Sequence, residues 1–139
     1  MTQYYLGTKQ VLAQPGDREG EPGYVVQYPD GYVSWSPKDV FEAAYLPMGS
    51  DPTRITEEMV NAFMGEVETT RMGNHTVIMV RCRNGFSFIE DSACVDPANY
   101  DHALGMKLAL EKAKKRVWSH LGFLLATARN SVKTEAAHV

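Results

Sequence analysis

The pair Asn84-Gly85, set between Thr76-Val77-Ile78-Met79-Val80-Arg81-Cys82 and Phe86-Ser87-Phe88-Ile89-Glu90, constrains this chain more than any other feature. Asn-Gly accepts the positive backbone angles of a two-residue hairpin turn. The run before it is rich in β-branched residues and the run after it alternates, so both read as strands of one antiparallel hairpin. Gly73-Asn74 marks a second turn, which adds residues 67–71 as a third strand.

A separate hairpin is predicted over residues 23–35. Gly23-Tyr24-Val25-Val26-Gln27-Tyr28 leads into Pro29-Asp30-Gly31, where Pro presets φ and Gly takes the positive φ, and Tyr32-Val33-Ser34-Trp35 returns. Residues 4–13 read as a preceding strand anchored by Val11 and Leu12, and 14–22 as a turn-rich loop.

Helix signals follow each group of strands. Ser36 at the N-cap, Pro37 at the first helical position and Asp39 in the first turn start one helix, with Val40, Phe41, Ala44 and Tyr45 as its apolar stripe. Pro47-Met48-Gly49-Ser50-Asp51-Pro52 reads as a linker. Thr56 caps a second helix with Glu57 and Glu58 in its first turn, Met59, Val60 and Phe63 on its apolar side, and Gly65 as its stop. Ser92 to Pro97 reads as a connection, with Asn99 or Asp101 capping a long helix over about 100–120, with a continuation after a break near Gly122. On a helical wheel Met106, Leu110, Ala113, Val117, Leu121 and Leu124 fall within about 60° of one line and form its core face. Leu104 and Leu108 point nearly opposite, which suggests either a contact with the first unit or a self-association surface, and the tail from about 127 is expected to fray.

Composition narrows the function classes. No apolar run approaches the roughly 20 residues of a membrane helix, and the N-terminus lacks a basic stretch followed by an apolar one, so a cytoplasmic location is expected. Cys82 and Cys94 read as two buried reduced thiols, and His75, His102, His120 and His138 are too scattered for a metal site. Net charge is −3, split as −6 over residues 1–66 and +3 over 67–139. An acidic total argues against nonspecific DNA binding, while the basic half leaves nucleic acid open. No phosphate-cradling glycine loop, paired-cysteine spacing or nucleophile constellation is present in the sequence, so no catalytic residue and no cofactor is expected.

Two groups of residues are candidate ligand contacts. Lys112, Lys114, Lys115 and Arg116 form a basic stripe off the core face, with Arg81 and Arg83 flanking the hairpin turn. Such a stripe either faces phosphates or is a solvated face that suits the helix dipole. Tyr24, Tyr28, Tyr32 and Trp35 lie on facing strands, and either stack on a base or form the core of a small domain. Lys112, Lys115, Arg116, Arg81, Arg83, Tyr32 and Trp35 are the residues selected for a ligand surface, with phosphates meeting the basic half. The string Asp96-Pro97-Ala98-Asn99-Tyr100-Asp101 reads either as helix initiation or as a binding loop.

The segment from Asn84-Gly85-Phe86 through Ser92-Ala93-Cys94-Val95-Asp96-Pro97-Ala98-Asn99-Tyr100-Asp101 to Gly105, Ala109, Trp118 and Gly122 resembles a family of small tailed-phage proteins named for podovirus early gene products. The resemblance covers about 55–126, with Ser119 where the family is expected to place Pro. Gly23-Tyr24-Val25-Val26 with Gly31-Tyr32-Val33-Ser34-Trp35-Ser36-Pro37-Lys38-Asp39-Val40-Phe41 is similar to a module at the start of phage accessory proteins, some of which carry a domain that sequesters nucleotide signals of bacterial immunity. These resemblances imply a host-takeover or anti-defence setting and assign no catalytic residue.

The expected fold is α+β: two small antiparallel sheets, each packed by helix. Residues 1–50 form a hairpin-plus-helix module, and 54–130 form an α-β-β-β-α domain with a long C-terminal helix. That order resembles double-stranded-RNA-binding domains, which concentrate lysines at the start of the last helix; here the cluster sits further along. The expected function is non-enzymatic: binding a host protein or sequestering a nucleotide signal, with nucleic-acid binding as the alternative. A homodimer through Leu104 and Leu108 is expected, and no membrane partner.

Overall fold

The structure, a computed structural model, describes residues 1–133. The order is β1 (Leu12–Pro15), β2 (Gly23–Gln27), β3 (Val33–Pro37), α1 (Lys38–Ala44), α2 (Glu57–Phe63), β4 (Met64–Met72), β5 (His75–Cys82), β6 (Ser87–Ala93) and α3 (His102–Asn130). The fold is α+β with two three-stranded antiparallel sheets, β1-β2-β3 and β4-β5-β6. The chain divides into two compact units: Met1–Pro47 with the described residues from Phe123 onward, and Met48–Gly122.

In the first unit the β2–β3 hairpin forms as the turn residues dictate. Tyr28 and Tyr32 close the loop, Gly31 N–H donates to Tyr28 O, and Gly31 takes φ 91°. This is a type I turn followed by a left-handed residue, the usual three-residue hairpin loop. The predicted strand over 4–13 is corrected to Leu12–Pro15. Its register pairs Leu12 with Gln27, the last residue of β2, so residues before Leu12 have no strand to pair with. Tyr4, Tyr5 and Leu6 are exposed. The helix start is also corrected. Ser36 is held in the ladder opposite Tyr24, so Pro37 becomes the cap residue and α1 starts at Lys38 with no side-chain cap. Phe41 stacks on Tyr24 at 4.4 Å and on Tyr45 at 4.8 Å, which seats α1 on β2.

In the second unit Thr76, Ile78, Val80 and Cys82 of β5 are all buried, as the period of two requires, and Phe88 and Ser92 of β6 join them. The Thr56 hydroxyl accepts from Met59 N–H and caps α2, whose Met59 and Val60 are buried. Gly65 does not stop α2 but lies inside β4, where the register shifts between Met64 and Val67. A Cβ there would lie 2.5 Å from Arg81 O, so glycine permits the close approach of the two strands. Gly73 takes φ 63° at the first central position of the two-residue β4–β5 turn. The Asn84-Gly85 turn is a three-residue loop rather than a two-residue one: Cys82 N–H donates to Phe86 O, Gly85 N–H donates to Cys82 O, and only Gly85 has positive φ. β6 extends through Ala93, past the predicted end at Glu90.

α3 runs unbroken through Gly122 to Asn130, so the predicted break is absent; residues 134–139 of the predicted tail lie outside the described residues. Asp101 caps it, accepting from Leu104 N–H through its side chain. Its buried face is Ala109, Ala113, Val117 and Leu121, every fourth residue, with Gly105 in line ahead of them. Met106 and Leu110 sit at the margin of this face, and Leu124 is exposed.

Candidate functional site

The 92–101 string turns out to build the connection that seats α3. Ser92 Oγ donates to Gly105 O at 2.7 Å, tying β6 to the first turn of the helix. Asn74 Nδ2 donates to Cys94 O at 2.5 Å, and Cys94 N–H donates to Asn74 O at 3.1 Å, fixing the exit from β6 against the β4–β5 turn. Asp96 accepts from Ala98 N–H and caps a single 3-10 turn over Pro97–Asn99. The Tyr100 hydroxyl then lies 2.9 Å from Thr76 Oγ1 and 2.7 Å from His102 Nδ1, while His102 Nε2 lies 3.3 Å from Thr69 Oγ1. The Arg71 guanidinium covers the Tyr100 ring at 3.8 Å. This chain of hydroxyls and imidazole links β4, β5 and the start of α3, and satisfies the buried Thr76 hydroxyl. Helix initiation, not an open binding loop, is the geometry found here.

The basic residues singled out from the sequence are unequally placed. Lys112 Nζ donates to Asp91 O at 2.7 Å. Arg116 donates to Ile89 O, pairs with Glu90 at 3.0 Å and lies over the Phe88 ring at 4.6 Å. These two side chains clamp α3 onto β6. Arg81 pairs with Glu66 on the neighbouring strand at 3.4 Å, and Arg83 N–H donates to Phe63 O. Lys115 is exposed. The stripe therefore exists, but much of its charge already meets acceptors of the fold.

In the first unit, Trp35 Nε1 donates to Gly16 O at 2.7 Å, and Trp35 lies so close to Gly23 that a Cβ there would collide with its ring. Arg18 covers the Trp35 ring at 5.7 Å. Trp35 thus packs the loop against the hairpin. Tyr32 is exposed and stacks on Tyr28 at 5.8 Å, and Lys9 Nζ sits 5.4 Å from the Tyr28 ring centre. Beside Lys9 opens a cleft of about 630 Å³, walled by Gly7, Thr8 and Lys9, by Ala44 and Tyr45, and by Thr127, Ser131 and Val132. Burial pushes the Tyr45 phenol above its ordinary range, with Tyr28 adding to the effect, so Tyr45 stays neutral at physiological pH. Tyr24 is raised as well, because its hydroxyl donates to the Glu42 carboxylate at 2.6 Å. Lys9, Tyr45, Thr127 and Ser131 went unrecognised in the sequence, where no spacing connects them.

A profile of the phage protein (N4 Gp49/phage Sf6 gene 66) family matches residues 55–129. The chain belongs to this family. No curated protein and no solved structure matches the chain. The family match bears out the resemblance drawn from the Ser92–Asp101 region and starts two residues before α2. The match ends one residue short of the end of α3. Among the described residues no group of three or more His, Cys, Asp or Glu is placed to hold a metal ion, and no helix is long and apolar enough to cross a membrane.

Both cysteines of this family member are free thiols, but the expectation that both are buried holds for Cys82 alone. Cys82 is buried on β5 and burial pushes its thiol up, whereas Cys94 is half-buried, with Sγ donating to Asp96 O at 3.3 Å. Since the thiolate is the reactive form, iodoacetamide at neutral pH is expected to label Cys94 at least about tenfold faster than Cys82 in the native protein. Peptide mass spectrometry over a time course measures this directly, and equal rates would show that β5 opens readily.

Proposed function

We propose that this protein is a phage accessory factor that acts by binding rather than catalysis, and that the first-unit cleft holds a nucleotide-type ligand. The observation that carries this reading is that an aromatic residue, Tyr45, a cation, Lys9, and the hydroxyl residues Thr8 and Ser131 line one cleft; Lys9 Nζ rests 5.4 Å from the Tyr28 ring, and the Thr127 hydroxyl, on the same wall, donates to Phe123 O. A base stacks on an aromatic ring, a phosphate meets a cation, and ribose or phosphate oxygens meet hydroxyls. The volume falls in the range of small-molecule sites, roughly 300–1,000 Å³. Holding such a molecule suits a host-takeover or anti-defence role, in which a signal is removed by sequestration. Nucleic acid is the weaker reading, because Lys112, Arg116 and Arg81 are engaged by Asp91, Ile89, Glu90 and Glu66.

A panel of mononucleotides, cyclic dinucleotides and ADP-ribose tests this by calorimetry. At least one member is expected to bind, and Lys9→Glu and Tyr45→Ala are each expected to weaken it by about tenfold or more. The triple change of Lys112, Lys115 and Arg116 to Glu is expected to leave that affinity unchanged. Loss of binding in the triple variant with none in Lys9→Glu would move the site to the basic stripe. Steeply salt-dependent binding of duplex DNA or RNA in place of nucleotide would favour a nucleic-acid role.

A further inference from the structure

α3 carries a second apolar face that its own sheet does not use. Leu104, Leu108 and Trp118 are 52%, 41% and 42% exposed, although Ala109, Ala113, Val117 and Leu121 on the other side of the helix are buried. Between Leu108 and Trp118 the same outward face carries Glu111 and Lys115, both exposed, and beyond Trp118 it carries Gly122. Leu104 and Leu108 adjoin on this face and Trp118 lies about three turns further along it, so the face offers apolar area at both ends of a charged centre.

The spacing of these six residues identifies the partner. Glu111 and Lys115 lie two positions either side of Ala113, Leu108 and Trp118 lie five positions either side, and Leu104 and Gly122 lie nine. If two copies of α3 pair antiparallel about a two-fold axis level with Ala113, each residue meets its counterpart across the seam. Glu111 meets the lysine of the other copy, Leu108 meets tryptophan, and Leu104 meets the gap left by glycine. Acid faces base, and the larger side chains face a smaller one. The two-fold repeats every contact, as an isologous interface requires. A Cβ at Gly122 would meet nothing within 4 Å among the described residues, so its lack of a side chain is not explained by packing among them. The matched stretch is about 27 Å long, five turns of helix.

We propose that the outer face of α3 is a homodimer interface, in which two copies of the helix pack antiparallel through Leu104, Leu108, Glu111, Lys115, Trp118 and Gly122. This assignment is independent of what the first-unit cleft binds. It commits to a second copy of this chain because the order of charge and bulk along the face is complementary to its own reverse.

Charge exchange in the full chain tests it, since Glu111 and Lys115 are exposed and their substitution leaves the core of α3 untouched. Sedimentation equilibrium is expected to show a dimer at high micromolar concentration. Glu111→Lys and Lys115→Glu, each alone, place like charges across the seam and are expected to weaken it by at least about tenfold. The combined exchange restores the opposite-charge pairing and is expected to recover the dimer, which a merely destabilised helix would not do. Far-UV circular dichroism confirms that each variant is folded. A wild-type monomer at that concentration would overturn the proposal. So would single exchanges that leave the dimer intact, a combined exchange that stays monomeric, or a monomer whose outer face is covered only by a host protein.

Discussion

Gly105→Ala is expected to destabilise the second unit by about 3 kcal/mol, although alanine is the better helix former. The helix propensity gain is only about 1 kcal/mol. Against it stands the packing of α3 on β5. A Cβ at 105 would lie 2.7 Å from Thr76 Cβ and closer still to Thr76 Oγ1. Thr76 is β-branched and fully buried, so it cannot swing aside. The helix must lift instead, which stretches the Ser92 Oγ–Gly105 O bond and the Thr76–Tyr100 hydroxyl pair. Overpacking costs about 1–3 kcal/mol and each weakened bond about 1 kcal/mol, so the sum outweighs the propensity gain. Urea unfolding reports this through Trp118, the tryptophan of the second unit, in a Trp35→Phe background. Thr76→Ala removes the nearest atom, so the pair of changes should be strongly non-additive, with alanine at 105 costing less beside Ala than beside Thr. A neutral or stabilising Gly105→Ala would mean that α3 does not approach β5 as closely as described.

That close approach explains why the buried face of α3 was only partly legible. A wheel weighted by hydrophobicity centres on Met106, Leu110 and Leu124, because these are the large apolar residues. The structure centres the face on Gly105, Ala109, Ala113, Val117 and Leu121. Where helix and strand nearly touch, small residues are selected by volume, and a hydrophobicity scale gives them little weight. The strands were easier to read, because positive φ at Gly31, Gly73 and Gly85 is a local demand met by a local residue. Thr56 with Glu57 and Glu58 was legible for the same reason. The stretch from Tyr4 to Val11 was misread as strand, because its composition suits one but β2 is too short to pair with it.

The candidate site was less legible than the fold. Lys112 and Arg116 announce charge in the sequence, yet both reach carbonyl oxygens, of Asp91 and Ile89, which no side-chain pattern reveals, and Arg116 adds the carboxylate of Glu90. The cleft joins residues 7–9, 44–45 and 127–132, three segments brought together only by tertiary folding. Arg129 and Gln10, whose side chains hydrogen-bond at 3.2 Å, are brought together in the same way. The Ser92–Asp101 region was the reverse case. Its sequence specificity was plain, and its meaning became clear only when Ser92, Asp96, Tyr100 and Asp101 were each seen making a bond that seats α3.

Trp35 separates the two readings that the first-unit aromatics left open, and Trp35→Ala is expected to cost the first unit about 3 kcal/mol. Truncating a packed Trp costs about 3–5 kcal/mol, and Trp35 is only half-buried, which favours the lower end. The loss has identifiable parts. Gly16 O loses its indole donor, the surface of Gly23 loses its cover, and Arg18 loses the ring beneath it. Trp35→Phe keeps most of the ring and loses the bond to Gly16, so it should cost nearer 1 kcal/mol. Six of the seven tyrosines lie between Tyr4 and Tyr45, so near-ultraviolet circular dichroism in the tyrosine region follows this unit after its tryptophan is gone. Tyr32→Ala is the contrasting case: an exposed ring stacked only on Tyr28 should be removable at little cost to stability. A Trp35→Ala protein that keeps its tyrosine signal and its unfolding midpoint would show that the indole is not structural. Lower affinity for a nucleotide in that variant would then return Trp35 to the role of a stacking surface, where a base contact is worth about 1–3 kcal/mol.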